Sequence, residues 1–216
     1  MLFSIVSLVI GYAFGLIQMA YIMGKLKGID IRAHGSGNSG STNALRVMGK
    51  QTGAIVFAVD FAKAGIAFWL ASLLFPDNAI LAGLFAGLGA ILGHCFPFYL
   101  GFKGGKGIAC SLAIVISTHW LIGLTIVFVG IGIVLLTRYV SAASISVSAL
   151  TPFLMYFFGF EFGPIFVSGI IAVICIYLHR GNIARILNGT ESRLFGHHYD
   201  VNEDDDEDES SINKEA

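Results

Sequence analysis

From Ile108 to Thr137 the chain runs for 30 residues without a lysine, arginine, aspartate or glutamate. Lipid is the solvent for such a stretch, because a helix satisfies its own backbone hydrogen bonds there and an open sheet does not. Composition agrees: hydrophobic residues make up 56% and charged residues 12%, and mean hydropathy is +0.79. Soluble domains carry roughly 25% charged residues. The strict alternation of a membrane barrel is missing, so the expected fold class is an all-α integral membrane protein. Soluble catalytic folds are excluded for most of the length.

Apolar runs, measured against the roughly 20 residues a helix needs to cross, predict spans at Leu2 to Met23, Gly53 to Phe75, Ala79 to Leu100, Ile108 to His119, Trp120 to Thr137, Ala142 to Phe158 and Gly163 to Leu178. The fourth is short, and charge decides whether it stands alone. Lys25, Lys27, Arg32, Arg46 and Lys50 load the first loop, Lys103 and Lys106 the third, Arg138 the fifth, and Arg180, Arg185 and Arg193 the last segment. The loops at Pro76 to Asn78, Ser117 to Trp120 and Gly159 to Gly163 hold no Lys or Arg. A hairpin near His119 keeps every basic loop on one side, and a single tilted helix does not. The expected topology is therefore seven transmembrane helices, N-terminus outside and C-terminus cytoplasmic. The first apolar run lacks a basic n-region and is too long for a signal-peptide core, so it is expected to remain as the first span.

Nine of the fourteen acids fall between Asp200 and Glu215, so twelve basic and five acidic residues give residues 1–199 a net charge of +7. That excess suits both orientation in a membrane and an anionic substrate. The block EDDDEDE repels itself and buries no apolar area. The domain reading is accordingly a membrane domain over residues 1–196 and a disordered acidic tail over 197–216. His197 and His198, beside that block, are read as solvated. Cys95, Cys110 and Cys175 have no metal-like spacing and are expected as buried, reduced thiols; no metal site is expected.

Four interfacial segments carry the chemistry. The first loop, RAHGSGNSGSTNALRVMGK from Arg32 to Lys50, contains Gly35, Gly37 and Gly40 as G-x-G-x-x-G, with Asp60 twenty residues beyond Gly40. The dinucleotide fingerprint needs a strand before it, and here a membrane helix precedes. What survives is a glycine loop whose amides, with Ser36, Ser39, Ser41, Thr42, Asn43 and Arg46, suit a tetrahedral oxyanion. The second segment, GHCFPFYLGFKGGKG from Gly93 to Gly107, offers Lys103, Lys106 and an expected set of free amides. Leu100 and Gly107 break the Walker pattern, so phosphate binding by Lys106 is expected without nucleotide chemistry. The third, TRYVSAAS, presents Arg138, Ser141 and Ser144. In the fourth, HRGNIARILNGTE, His179 and Asn182 share one helical face. His34 and His94 are read as capping or hydrogen-bonding groups around the loops. Asp60 and Lys63, three apart inside the second span, read as a pair that pins helices beneath the site, with direct substrate contact as the alternative.

Asp30 and Glu191 are the only acids near these loops. No Ser-His-Asp set and no carboxylate pair is in view. The common chemistry is binding of phosphate, which serves a reaction whose leaving group is already activated.

The segments GSGNSGSTNALR, GHCFPFYLGFKGGKGIA and HRGNIARILNGTE, with DFAK and RYVSAAS between them, resemble the motifs of the bacterial PlsY family, the acyl-phosphate:glycerol-3-phosphate acyltransferases. The similarity spans roughly residues 1–196 in the same order. The resemblance implies a seven-helix enzyme of the bacterial inner membrane with its active site facing the cytoplasm, no cofactor and no nucleic-acid partner. It would move a fatty acyl group from acyl phosphate to the 1-hydroxyl of sn-glycerol 3-phosphate, and a soluble enzyme that supplies acyl phosphate is an implied partner. By motif, Ser36, Gly37, Asn38, Gly40, Thr42 and Asn43 would hold the acyl phosphate, and Arg46, Lys106, Ser144 and His179 the glycerol 3-phosphate. His179, Asn182 and Lys106 would flank the reacting centre, with His94, Lys103, Asp60, Lys63, Arg138 and Ser141 in support. None of the six histidines has an Asp five residues later, which argues against the H-x-x-x-x-D acyltransferases. A transporter of a small phosphorylated metabolite is the alternative; its site would lie near the midplane of a repeated fold, and no internal repeat is evident.

Overall fold

The computed structural model describes residues 2–194. The acidic tail, the boundary at 196, and His197 and His198 lie outside the described residues. Within them the chain forms α1 (Leu2–Gly15), α2 (Met19–Leu26), α3 (Ser41–Met48), α4 (Lys50–Leu74), α5 (Ala79–Cys95), α6 (Ile108–Thr118), α7 (Trp120–Thr137), α8 (Val140–Phe157), α9 (Phe162–Leu178) and α10 (Arg180–Leu187).

Five stretches are long and apolar enough to cross a membrane: Leu2–Leu26, Lys50–Leu74, Pro76–Leu100, Trp120–Thr137 and Val140–Phe157. A sixth arises if α9 and α10, bent by 53° at their junction, count as one. The helix α6 has only 11 residues, about 16 Å against a hydrocarbon core of about 30 Å. It is nevertheless a separate helix. A Cβ on Gly123 would lie 2.9 Å from the Ile116 Cα, whereas residues seven apart in one helix are separated by about 10 Å. The chain therefore doubles back at His119, whose extended backbone (φ −159°) ends α6. The His119 ring packs against Phe158 and Phe160, which places the α6–α7 and α8–α9 turns side by side at one end of the bundle.

Within the first span the helix is interrupted at residues 16–18. The buried Gln18 amide donates to the carbonyls of Gly15, Gly93 and His94, and the Ile17 carbonyl accepts from Lys63. The α1 stretch before the break lies directly on α5. Side chains at Gly11 or Gly15 would run into the backbone of Ala86 and Ala90, and side chains at Gly89 or Gly93 into that of Leu8 and Tyr12. Without a hydrophobic drive between helices in lipid, such small-residue stripes bring backbones into van der Waals contact.

The main core lies among α4, α5, α6 and α9, around Phe68, Leu84, Ile91, Ile114 and Val167. A smaller one, Ala20, Ile31, Ala44, Met48 and Val56, ties α2, the first loop and α3 onto α4. Gly49 (φ +87°) lets α3 fold straight back onto α4. The backbone of Leu45 then rests on Gly53.

Candidate active site

Between residues 96 and 107 the chain leaves α5, makes a loop and turns back onto the helix end. The Gly104 amide donates to the Cys95 carbonyl and that of Gly105 to the His94 carbonyl. Both glycines are required, because a side chain at Gly104 would meet the His94 carbonyl and one at Gly105 the His94 ring. The loop is also tied to the first: Asn38 donates to the Gly104 carbonyl, and Arg32 bridges Asp30 and the Leu100 carbonyl. This corrects one expectation. The Gly104 and Gly105 amides, and those of Ser36 and Gly37, are used inside the protein and do not form a free cradle.

The cavity beside this loop has a volume of about 350 Å³. One side is built by Ser36, Asn38, Gly40, Thr42, Asn43 and Arg46, another by Lys106, and the remainder by Ser141, Ser144, His179 and Asn182, with Asp60 and His94 at its base. Four segments far apart in sequence thus share one space. Gly37, Lys63, Lys103 and Arg138 are not on its walls. Gly37 makes a left-handed turn behind it (φ +69°), and Lys63 is buried beneath. Lys103 and Arg138 are exposed, and the Arg138 carbonyl instead receives the Leu194 amide.

Three helix ends face the cavity. α3, α6 and α8 all start at this cavity, at Ser41, Ile108 and Val140. None of the three has a side-chain N-cap hydrogen bond. Their first-turn amides have no acceptor within the helix and carry the positive end of its dipole, a setting made for phosphate. Sequence reasoning assigned this task to glycine amides. Asn43 lines the cavity, but its amide is committed to the loop, receiving the Ser36 N–H and donating to the carbonyls of Ile31 and His34. The Ser144 hydroxyl donates to the Val140 carbonyl one turn earlier.

The far wall is a polar chain that sequence reasoning did not assemble. Lys106 donates to Asn182 Oδ1, and Asn182 Nδ2 donates to Glu191 Oε1 at 2.6 Å. The same oxygen accepts from Ser141 at 2.6 Å, and Oε2 accepts from Arg185 at 2.7 Å. Burial raises the Glu191 carboxyl, but these hydrogen bonds outweigh it and hold it below its ordinary value. The one available signal was that Glu191 is an isolated acid in a basic segment. His179 Nδ1 lies 2.7 Å from the Cys175 carbonyl. A carbonyl only accepts, so Nδ1 carries the proton, and neutral His179 keeps a lone pair on Nε2.

Beneath the cavity Lys63 donates to Asp60 at 2.6 Å, to the Ile17 carbonyl at 2.6 Å and to His94 Nδ1 at 2.9 Å. Asp60 is thereby neutralised, as Glu191 is by Arg185. Arg46 and Lys106 remain as cavity cations with no anionic partner within salt-bridge distance among the described residues, which suits two phosphate-bearing ligands.

Burial and the nearby Arg185 push Lys106 down to about 8, against the pull of Glu191. Its ammonium is present below that value and lost as pH rises through it. For the free enzyme, kcat/KM for phosphate substrates is therefore expected to fall about tenfold per pH unit above about 8. A pH profile flat to pH 10 would remove Lys106 as the charge that matters.

An apolar groove of about 440 Å³ between α6, α7 and α8 opens from the same place, sharing Ile108, Val140 and Ser144 with the polar cavity. Leu112, Val115, Ile131, Val134 and Val147 line it.

Residues 5–189 match the family model described as glycerol-3-phosphate acyltransferase. Curated relatives of that name include one from Thermoanaerobacter sp. (strain X514), 39% identical over 194 residues, covering 89% of this chain and 96% of the relative. Another, from Aquifex aeolicus (strain VF5), is 39% identical and covers 86% and 96%. Two crystal structures of PlsY (YgiH), an integral membrane glycerol 3-phosphate acyltransferase, superpose on the chain at 37% identity and 89% coverage. The glycerol 3-phosphate form gives a TM-score of 0.83 over 96% of its chain, and the lysophosphatidic acid form 0.80 over 95%. With most of its length matched in sequence and fold, the chain belongs to the glycerol-3-phosphate acyltransferase (PlsY) family.

Proposed function

We propose that this chain transfers a fatty acyl group from acyl phosphate to the 1-hydroxyl of sn-glycerol 3-phosphate, giving lysophosphatidic acid and inorganic phosphate. The observation that carries this reading is the junction of two spaces: a cavity with three helix N-termini and two cations lacking anionic partners among the described residues, opening into an apolar groove. Phosphate fits the first and an acyl chain the second. Acyl phosphate is a mixed anhydride, so its carbonyl needs little activation, and the task is to hold two anions and aim a hydroxyl. The hydroxyl oxygen forms a bond to the acyl carbon, the bond from that carbon to the phosphate oxygen breaks, and the departing phosphate takes the hydroxyl proton. Arg46 and Lys106 offset the charge of the two phosphates. His179 Nε2 accepts a hydrogen bond from the 2-hydroxyl of glycerol 3-phosphate and so aims the 1-hydroxyl oxygen, whose own proton stays free for the departing phosphate, with Asn182 beside it.

The test is purified protein supplied with acyl phosphate and glycerol 3-phosphate, with acyl-CoA as the comparison donor. Formation of lysophosphatidic acid from acyl phosphate is expected. Its absence, combined with counterflow of glycerol 3-phosphate in vesicles, would favour a transporter. The intramembrane charges that favoured transport, Asp60 and Lys63, are held by each other, His94 and a backbone carbonyl, which supports a bracing role.

The same reading has seven passes, the N-terminus outside, and the cavity facing the cytoplasm at a bacterial inner membrane, where a soluble enzyme would supply acyl phosphate. It is supported by the absence of Lys and Arg from the turns opposite the cavity. A tag inserted between His119 and Trp120 is expected to be labelled from outside the cell; labelling only after lysis would reverse the orientation.

A further inference from the structure

His94 is 3% exposed, yet it reaches the floor of the phosphate cavity. Its ring has two different neighbours. Nδ1 faces the Lys63 ammonium at 2.9 Å, and the other two Lys63 protons go to Asp60 Oδ1 and the Ile17 carbonyl. An ammonium only donates, so Nδ1 presents its lone pair. The alternative, an Nδ1–H bound to Asp60, has 3.5 Å to span, beyond a good hydrogen bond, and would point a second donor at Lys63. The ring is therefore the neutral tautomer that carries its proton on Nε2.

That proton has no acceptor among the described residues. Nε2 occupies the space a side chain at residue 105 would take, and Gly105 itself is locked to the His94 carbonyl through its amide. Gly105 adjoins Lys106 in the chain, and His94 lines the same cavity as Lys106, Asn38 and the α3 N-terminus.

We propose that His94 is a substrate-contacting residue, a neutral imidazole whose Nε2–H donates to a phosphate oxygen of the acyl donor, with the Lys63–Asp60 pair as the positioning device that fixes its tautomer. A neutral donor adds a hydrogen bond to the phosphate without a third positive charge, which would also hold the product phosphate. The proposal rests on the acyl-phosphate reading above.

The test compares two variants. His94→Asn keeps an acceptor for Lys63 in place of Nδ1 and loses the cavity donor; His94→Gln places an amide N–H near Nε2. His94→Asn is expected to raise KM for acyl phosphate at least about tenfold, the scale of a hydrogen bond to a charged group, with KM for glycerol 3-phosphate nearly unchanged. His94→Gln should recover part of the loss. Equal, wild-type KM values in His94→Asn would overturn the proposal and leave His94 as a brace. Wild-type protein that forms no lysophosphatidic acid would instead remove the parent reading. Should both variants fail to fold, ¹⁵N-histidine spectra of the wild type decide. One neutral ring protonated at Nε2, with its Nε2 signal moving on addition of inorganic phosphate, is expected; no such ring, or no movement, sinks the idea.

Discussion

Replacing Lys106 by Ala is expected to lower kcat/KM about 10²- to 10³-fold, the usual cost of removing one preorganised electrostatic contact to the reacting group. The thermal unfolding midpoint in detergent should stay close to wild type. Lys106 lines the cavity and donates to Asn182, and its ammonium is one of the two cavity cations without an anionic partner among the described residues. The loop that presents it is held by backbone bonds from Gly104 and Gly105, and these do not involve the Lys106 side chain. Activity and stability should therefore separate. Arg is not a conservative replacement, since a planar guanidinium needs more room than an ammonium beside Asn182. Steady-state kinetics with acyl phosphate check the first part, and near-normal turnover by Lys106→Ala would take this residue out of the site.

Replacing Glu191 by Ala is expected to lower both quantities together. Glu191 is 8% exposed, and its carboxylate receives hydrogen bonds from Ser141, Asn182 and Arg185. The Arg185 side chain is 44% exposed and can turn to water, so the loss falls on Ser141 and Asn182. Leaving a buried donor without an acceptor costs about 1–3 kcal/mol. Asn182 is also the acceptor for Lys106, so an amide free to rotate disturbs the reacting centre. The expected result is a lower unfolding midpoint and a kcat/KM reduced about 10²-fold. A variant with a lowered midpoint and full activity would confine Glu191 to folding. The carboxyl is held below its ordinary value, so its stabilisation is complete above the ordinary carboxylate range and is lost as pH falls through the lowered value.

Membrane residence, helix as the only element and the basic end of the bundle follow from the order of residues alone. Lipid enforces them locally: a long uncharged run has no other solvent, and Lys and Arg mark one set of loops. The motif segments were likewise legible, because lysine, arginine and histidine beside apolar spans are costly unless used. The resemblance to the PlsY motifs held, and the family match bears it out.

What the sequence could not supply is the partner of each polar group. Gly104 and Gly105 look like phosphate-binding glycines, and their amides turn out to close the loop on α5. The amides left without an acceptor inside a helix are instead those at the starts of α3, α6 and α8, which become a single feature only when separate helices begin at one point. Glu191 meets Ser141 across fifty residues, and Lys106 meets Asn182 across seventy-six. The glycines of α1 and α5 read as ordinary span residues until the two backbones touch. Hydropathy and charge are summed along the chain, so the sequence by itself determines where it lies and which end is basic. Hydrogen bonds depend on directions in space, so only the tertiary structure decides which donors remain for a substrate.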